Sequence, residues 1–166
     1  MDKPSIVIWR PATTYYIIGG LVLLLVGVIV SYIFSTFQPT VSFQVGSGAY
    51  SLWVADTDKE RAKGLGGVKE LGRNQGMILK FDTDSNWGIW MKDMETPIDI
   101  VWVNSQKRVV HIVENALPEL GTDITFRPKG NARYVIELPS GSVKSAGIRK
   151  GAMTTFDETS SGEMSF

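Results

Sequence analysis

The hydrophobic and polar positions change rhythm once along this chain. From Tyr15 to Phe37 the residues read YYIIGGLVLLLVGVIVSYIFSTF, 23 positions without a charge. At ~1.5 Å rise per residue the run reaches roughly 34 Å, enough for a ~30 Å hydrocarbon core. It is apolar on every side, more than a soluble domain of this size could cover, so the pattern predicts a single transmembrane helix over 15–37. Tyr15, Tyr16, Tyr32 and Phe37 fall near its ends, at the level that amphipathic rings prefer.

After Gln38-Pro39-Thr40 the rhythm becomes short and mostly alternating. Val41–Val45 reads as a strand, Gly46-Ser47-Gly48 as a turn, and Ala49–Ala55 as the second strand of a hairpin. Asp56–Gly67 reads as a short helix, with Thr57 and Glu60 at capping-box spacing and Gly66-Gly67 as its stop. Further strands are expected at Gly76–Phe81, Gly88–Met91, Pro97–Val103, Arg108–Glu114, Ala132–Leu138 and Gly151–Phe156. The third and fourth of these form a hairpin through Asn104–Lys107. Asp82–Asn86 is a polar loop, Leu117–Gly130 is irregular, and Ser142–Ile148 has no clear period. The polar stretch 158–166 is expected to be disordered. About eight short strands with one short helix predict a mainly β sandwich or barrel, not a parallel sheet with crossover helices. The expected organisation is a segment 1–14, a transmembrane helix 15–37, a β-rich domain 38–157 and a tail 158–166.

Charge adds orientation. Lys3 and Arg10 precede the apolar run, and no Lys or Arg follows it before Lys59. The positive-inside rule then puts 1–14 in the cytoplasm and the β-rich domain outside, on a single-pass protein of the cell membrane. A cleaved signal peptide is the rival, but the run is longer than an ordinary h-region and no A-x-A-like site follows it. Residues 38–166 carry 15 basic and 16 acidic side chains, which leaves no basic excess for nucleic acid. Cysteine is absent and His111 is the single histidine, which excludes disulfides, thiolate chemistry and a multi-imidazole metal site within one chain. No metal or cofactor is expected.

Against this background a few side chains stand out. Asp99 lies between Ile98 and Ile100, on the face of Val101 and Val103 by alternation, and needs a partner there. That partner is Lys92 or Arg61, or else a loop backbone. Glu137 lies on the face of Val135, opposite to Tyr134, Ile136 and Leu138. Together the two carboxylates offer either an oxygen-ligand cation site or a glycosidase pair. Trp87, Trp90, Met91, Met94 and Trp102 concentrate aromatic and thioether surface. Some of these are core fillers, and Trp90 beside Lys92 is the one expected to be exposed. Arg61 and Lys63 read as the solvated face of the capped helix. His111, flanked by valines and isoleucine, reads as a strand histidine rather than a triad member.

Four stretches carry a resemblance: Val54–Leu65 (VADTDKERAKGL), Gly76–Phe81 (GMILKF), Trp90–Ile100 (WMKDMETPIDI) and Ala132–Gly141 (ARYVIELPSG). With them the region from Leu52 to Phe156 resembles domain of unknown function 192, a family widespread in bacteria and archaea. The resemblance implies a compact jelly-roll-like β-sandwich and no activity. Two departures are Gly66-Gly67-Val68 after Leu65, where the family tends to read a methionine and an arginine, and Gly151-Ala152, where it tends to read Gly-Asp.

These readings lead first to a membrane-anchored extracytoplasmic binding module, its ligand-binding residues drawn from Arg61, Trp90, Lys92, Asp99 and Glu137. The partner would be a small molecule, a glycan or a protein. The alternatives are an interaction scaffold at the membrane surface and an envelope glycan hydrolase using Asp99 and Glu137.

Overall fold

The computed structural model describes the backbone of residues 11–36 and 40–157, with side chains over 15–29 and 40–157. Residues 1–10 of the expected segment 1–14, and the tail 158–166, lie outside the described residues. The chain divides into two units, Met1–Gln38 and Pro39–Phe166.

Among the described residues the first unit contains one helix, α1 (Pro11–Thr36), which starts four residues before the apolar run. Among the described residues no helix is long and apolar enough to cross a membrane. The side chains described in α1 run from Tyr15 to Ile29, only about 22 Å of helix. Every one of them is exposed.

The second unit is mainly β. Its strands are β1 (Thr40–Val45), β2 (Gly48–Ala55), β3 (Gln75–Ser85), β4 (Ile98–Val103), β5 (Val109–Ala116), β6 (Ala132–Pro139) and β7 (Thr154–Phe156). Two short helices, α2 (Asp58–Lys63) and α3 (Ser142–Ala146), and a 3-10 turn at Pro118–Leu120 interrupt them. The strands do not split into the two layers of a sandwich. They form one seven-stranded sheet in the order β5-β4-β6-β3-β2-β1-β7. The sheet curls until its two edges meet at one end, where Val109 N–H donates to Ala152 O (2.9 Å), Gly151 N–H to Val109 O (2.8 Å) and Thr154 N–H to Lys107 O (2.8 Å). The result is a half-closed barrel, so the barrel alternative holds and the jelly-roll sandwich does not.

One pair also breaks the expected antiparallel pattern. β2 and β3 run parallel, Leu52 beside Gly76 and Val54 beside Ile78, joined by a crossover that contains α2. Other corrections are local. α2 has its full capping box, with Glu60 N–H donating to Thr57 Oγ1 and Thr57 N–H to Glu60 Oε2, but it ends at Gly64, before the glycine pair. Gly88–Met91 is loop with a single bridge, Ile89 to Phe126. The period-free Ser142–Ile148 begins as α3, too short to show a helical repeat.

Curling gives the sheet two apolar faces. Inside, Phe43, Leu52, Ile78, Val101, Ile136, Leu138 and Phe156 pack together, and Val143, Ala146 and Ile148 from α3 and its exit join them. Outside, Leu79, Ile98, Ile100, Trp102 and Val135 are covered by Leu65, Ile89 and Met91 from the long connections. The central strands are therefore buried on both faces, and all six residues of β4 are buried. A polar side chain in β4 or β6 has no solvent side to turn to. Both strands carry a carboxylate.

Candidate functional site

Asp99 and Glu137 lie on adjacent strands but on opposite faces. Asp99 pairs with Leu138, and Ile100 with Glu137, so the two carboxylates alternate out of phase. Asp99 projects inward with Val101 and Val103, and Glu137 projects outward with Val135. The sheet separates them, so neither the glycosidase pair nor a shared cation site forms. Among the described residues no group of three or more acidic or histidine side chains is arranged to hold a metal.

Asp99 is fully buried and accepts two backbone donors, Asn115 N–H (2.9 Å) and Val143 N–H (2.8 Å). Both donors would otherwise be orphans. The pairing of β4 with β5 slips between Ile98 and Ile100, so Glu114 and Asn115 bulge, with Asn115 at φ 52°. Val143 lies in the first turn of α3, where helix N–H groups have no intrahelical partner. Asp99 thus stitches a bulge to a helix start. Its partners are loop and helix backbone, and neither Lys92 nor Arg61 pairs with it.

Glu137 has the opposite character. It is buried at the centre of β6, paired with Met77 of β3 and Ile100 of β4. The chain leaving α2 lies across its carboxylate. Gly64 takes φ 51° and ψ −137°, and Leu65 offers its N–H. One carboxyl oxygen, Oε2, has no hydrogen-bond partner. Burial pushes the Glu137 carboxyl up to about 7, against the opposing pull of the Leu65 N–H.

Glu137 contributes to a pocket of about 190 Å³. Arg61, Lys63 and Gly64 bound it on the α2 side, Leu79 and Phe81 from β3, and Ile89, Trp90, Lys92 and Met94 from the loop before β4. Trp90 is 45% exposed, and Lys92 is exposed. Arg61 is no solvated surface residue: its guanidinium donates to the carbonyls of Asp56 and Lys80 and to Asp58 Oδ1, and sits 5.1 Å over the Phe81 ring. Phe81 stacks in turn on Trp87, centroids 4.2 Å apart and planes at 9°. Trp102 and Met91 are fully buried core, and Trp102 Nε1–H donates to Trp87 O at 2.9 Å.

Of the five candidates, Arg61, Trp90, Lys92 and Glu137 line this one pocket and Asp99 does not. Sequence reasoning missed Phe81, which ends an apolar run, and Gly64, whose signal is a glycine directly after a capped helix. His111 is half-buried, its ring 5.4 Å from that of Trp102. Burial first, then Lys129 and Lys150, holds the imidazole below its usual range. All four stretches named in the sequence supply walls of the pocket: Arg61 and Gly64, Leu79 and Phe81, Trp90 and Lys92, and Glu137.

Comparison with known proteins agrees with the fold. A UPF0127 protein of Thermococcus gammatolerans is 31% identical over 112 residues, 68% of this chain and 70% of that protein. A UPF0127 protein of Thermococcus kodakarensis is 31% identical over 106 residues, and this chain spans 64% of its length. Among solved structures, a protein of unknown function from Novosphingobium aromaticivorans superposes with a TM-score of 0.63 at 30% identity, over 70% of this chain and 83% of that one. A candidate transcription regulator from Sinorhizobium meliloti superposes with a TM-score of 0.65 over 72% and 94%, but at 24% identity the likeness is one of fold. The profile of the domain of unknown function 192 family, described as "Uncharacterized ACR", matches residues 41–156, nearly the whole β-rich unit, and the chain belongs to that family.

Proposed function

We propose that this protein is a membrane-tethered module that binds a small ligand in the pocket floored by Glu137. The observation that carries the reading is a buried carboxyl with one oxygen unpartnered, lining the same pocket as the exposed Trp90. A buried polar atom without a partner costs about 1–3 kcal/mol, and folds retain such atoms where something else completes them. A pocket with apolar walls and a few convergent polar groups is the common form of a small-molecule site.

The tether rests on the chain itself. Tyr15–Phe37 has no charge, and α1 holds Leu21, Leu23 and Leu24 at 63, 75 and 67% exposure. An apolar surface on all sides of a helix favours lipid over water. Lys3 and Arg10 orient it with the β-rich unit outside the cytoplasm.

A thermal-shift screen of small polar compounds on the full chain in nonionic detergent tests the binding reading. At about 100 times its Kd a ligand adds ~2.7 kcal/mol, a shift of several degrees. Trp90→Ala, at an exposed position, leaves the melt in place and removes the shift. A screen in which no stabilising compound depends on Trp90 or Glu137 overturns the reading. Carbonate extraction and protease added to intact cells test the tether: release by carbonate removes it, and a C-terminus protected until lysis reverses its direction.

A further inference from the structure

Resting on that binding site, we infer that its ligand is a compact molecule bearing a primary ammonium, which meets Glu137, and an acidic group, which meets the rim lysines. The pocket lacks a cation at its floor. Glu137 Oε2 needs a donor, and the protein supplies none. Arg61 directs three of its N–H groups to Asp56 O, Lys80 O and Asp58 Oδ1, and none to Glu137 Oε2. Lys63 and Lys92 line the pocket, are exposed, and form no ion pair among the described residues. The site is therefore polarised, with an unpaired acid below and unpaired cations at the mouth. A zwitterion with its ammonium inward satisfies both ends. A hydroxyl completes the hydrogen bond but leaves a buried carboxylate without a counter-ion, and a simple acid meets only the rim. The wall agrees, because Trp90, exposed at the pocket, offers a π-system that attracts an ammonium. A volume of about 190 Å³ is below the ~300–1,000 Å³ of sites for drug-sized ligands, so the occupant is a small solute or one head group.

The charged groups lining the pocket with Glu137 are Asp58, Arg61 and Lys63 from α2 and Lys92 from the loop, while β3 contributes only Leu79 and Phe81. Burial brings the Glu137 carboxyl to about 7, and an ammonium binds its ionised form. Affinity therefore rises with pH through about 7.

The test is calorimetric titration of the full chain in nonionic micelles with O-phosphoethanolamine and glycine. O-phosphocholine, which keeps the anion but has no N–H, and glucose are the contrasts. Binding of glycine, which does not itself titrate in this range, is expected to weaken about thirtyfold from pH 8 to pH 5.5, as the ionised fraction of Glu137 falls. Glu137→Gln is expected to abolish the pH dependence of glycine binding, Lys92→Ala to weaken phosphoethanolamine at pH 8, and phosphocholine to bind at least tenfold more weakly than phosphoethanolamine at that pH. Phosphatidylethanolamine doped into the micelles distinguishes a lipid head group from a free solute, since only the former competes with the soluble probes. If Glu137→Gln does not fold, Trp90→Ala and the wild-type pH profile decide. Glucose or a simple carboxylate binding in a Trp90-dependent way, with no response to ammonium probes at millimolar concentration, overturns the ammonium assignment and leaves the binding module standing. No Trp90-dependent ligand of any class overturns both.

Discussion

Gly64 lies so close over Glu137 that a Cβ added to it would stand 3.3 Å from both carboxylate oxygens. Its φ of 51° with ψ −137° is open to glycine and strained for any other residue. Gly64→Ala is therefore expected to lower stability by about 1–3 kcal/mol and to crowd the pocket floor. Urea unfolding followed by tryptophan fluorescence measures the first effect. An unchanged midpoint would show that the backbone at this point relaxes freely.

Burial of Glu137 makes stability depend on pH. Its folded value of about 7 lies above the ordinary 4.5, so the folded state holds the proton more tightly. The contribution is fully present below about pH 4.5 and is lost as pH rises to about 7, by roughly 3 kcal/mol in all. Other carboxylates add their own slopes, so the useful quantity is the difference between wild type and Glu137→Gln. That difference is expected to change steadily between about pH 4.5 and 7 and to level off above. A constant difference would mean that the carboxyl ionises freely in the folded protein.

Asp99 and Lys92 are expected to act independently. Asp99→Ala strands the buried Val143 N–H, at about 1–3 kcal/mol, and removes the acceptor of the more accessible Asn115 N–H at a smaller cost, while Asp99→Asn, which keeps one acceptor, costs less. Lys92→Ala is close to silent for folding. A double-mutant cycle on the pair is expected to give coupling below about 0.5 kcal/mol. A larger value would place the ammonium nearer the carboxylate than the intervening sheet allows.

Arg61→Lys is expected to destabilise by about 1–2 kcal/mol despite keeping the charge. A guanidinium can donate to Asp56 O, Lys80 O and Asp58 Oδ1 while lying flat over Phe81. A lysine ammonium cannot do all of these at once. Thermal melts of the variant beside Arg61→Ala measure how much is lost.

What was legible in the sequence had local causes. The β1–β2 hairpin follows from alternation across a glycine turn, and α2 from the reciprocal Thr57–Glu60 cap. The facing of Asp99 with Val101, and of Glu137 with Val135, follows from a period of two within each strand. Phase between strands is not local. Whether two inward positions on neighbouring strands share a side depends on register, and the pairing of Asp99 with Leu138 put the carboxylates on opposite faces. The same non-locality hid the single sheet, because the parallel β2–β3 pair and the Ser85–Ala132 contact that extends β3 join residues far apart in the chain. The apolar Gly88–Met91 run looked like a strand because a loop that roofs an apolar face needs the same side chains as a strand within it.

The junction of β1 with β7 bears on how the protein is made. Phe43, in the first strand, pairs with Phe156, in the last, and their rings sit 5.7 Å apart in the inner core. During synthesis β1 emerges early and waits for a neighbour that is among the last residues of the domain to leave the ribosome. Until then one edge of the nascent sheet is open, with unpaired backbone that other chains can join. Closure is thus a late step in the life of the polypeptide, and contacts of such long sequence separation make it a slow one.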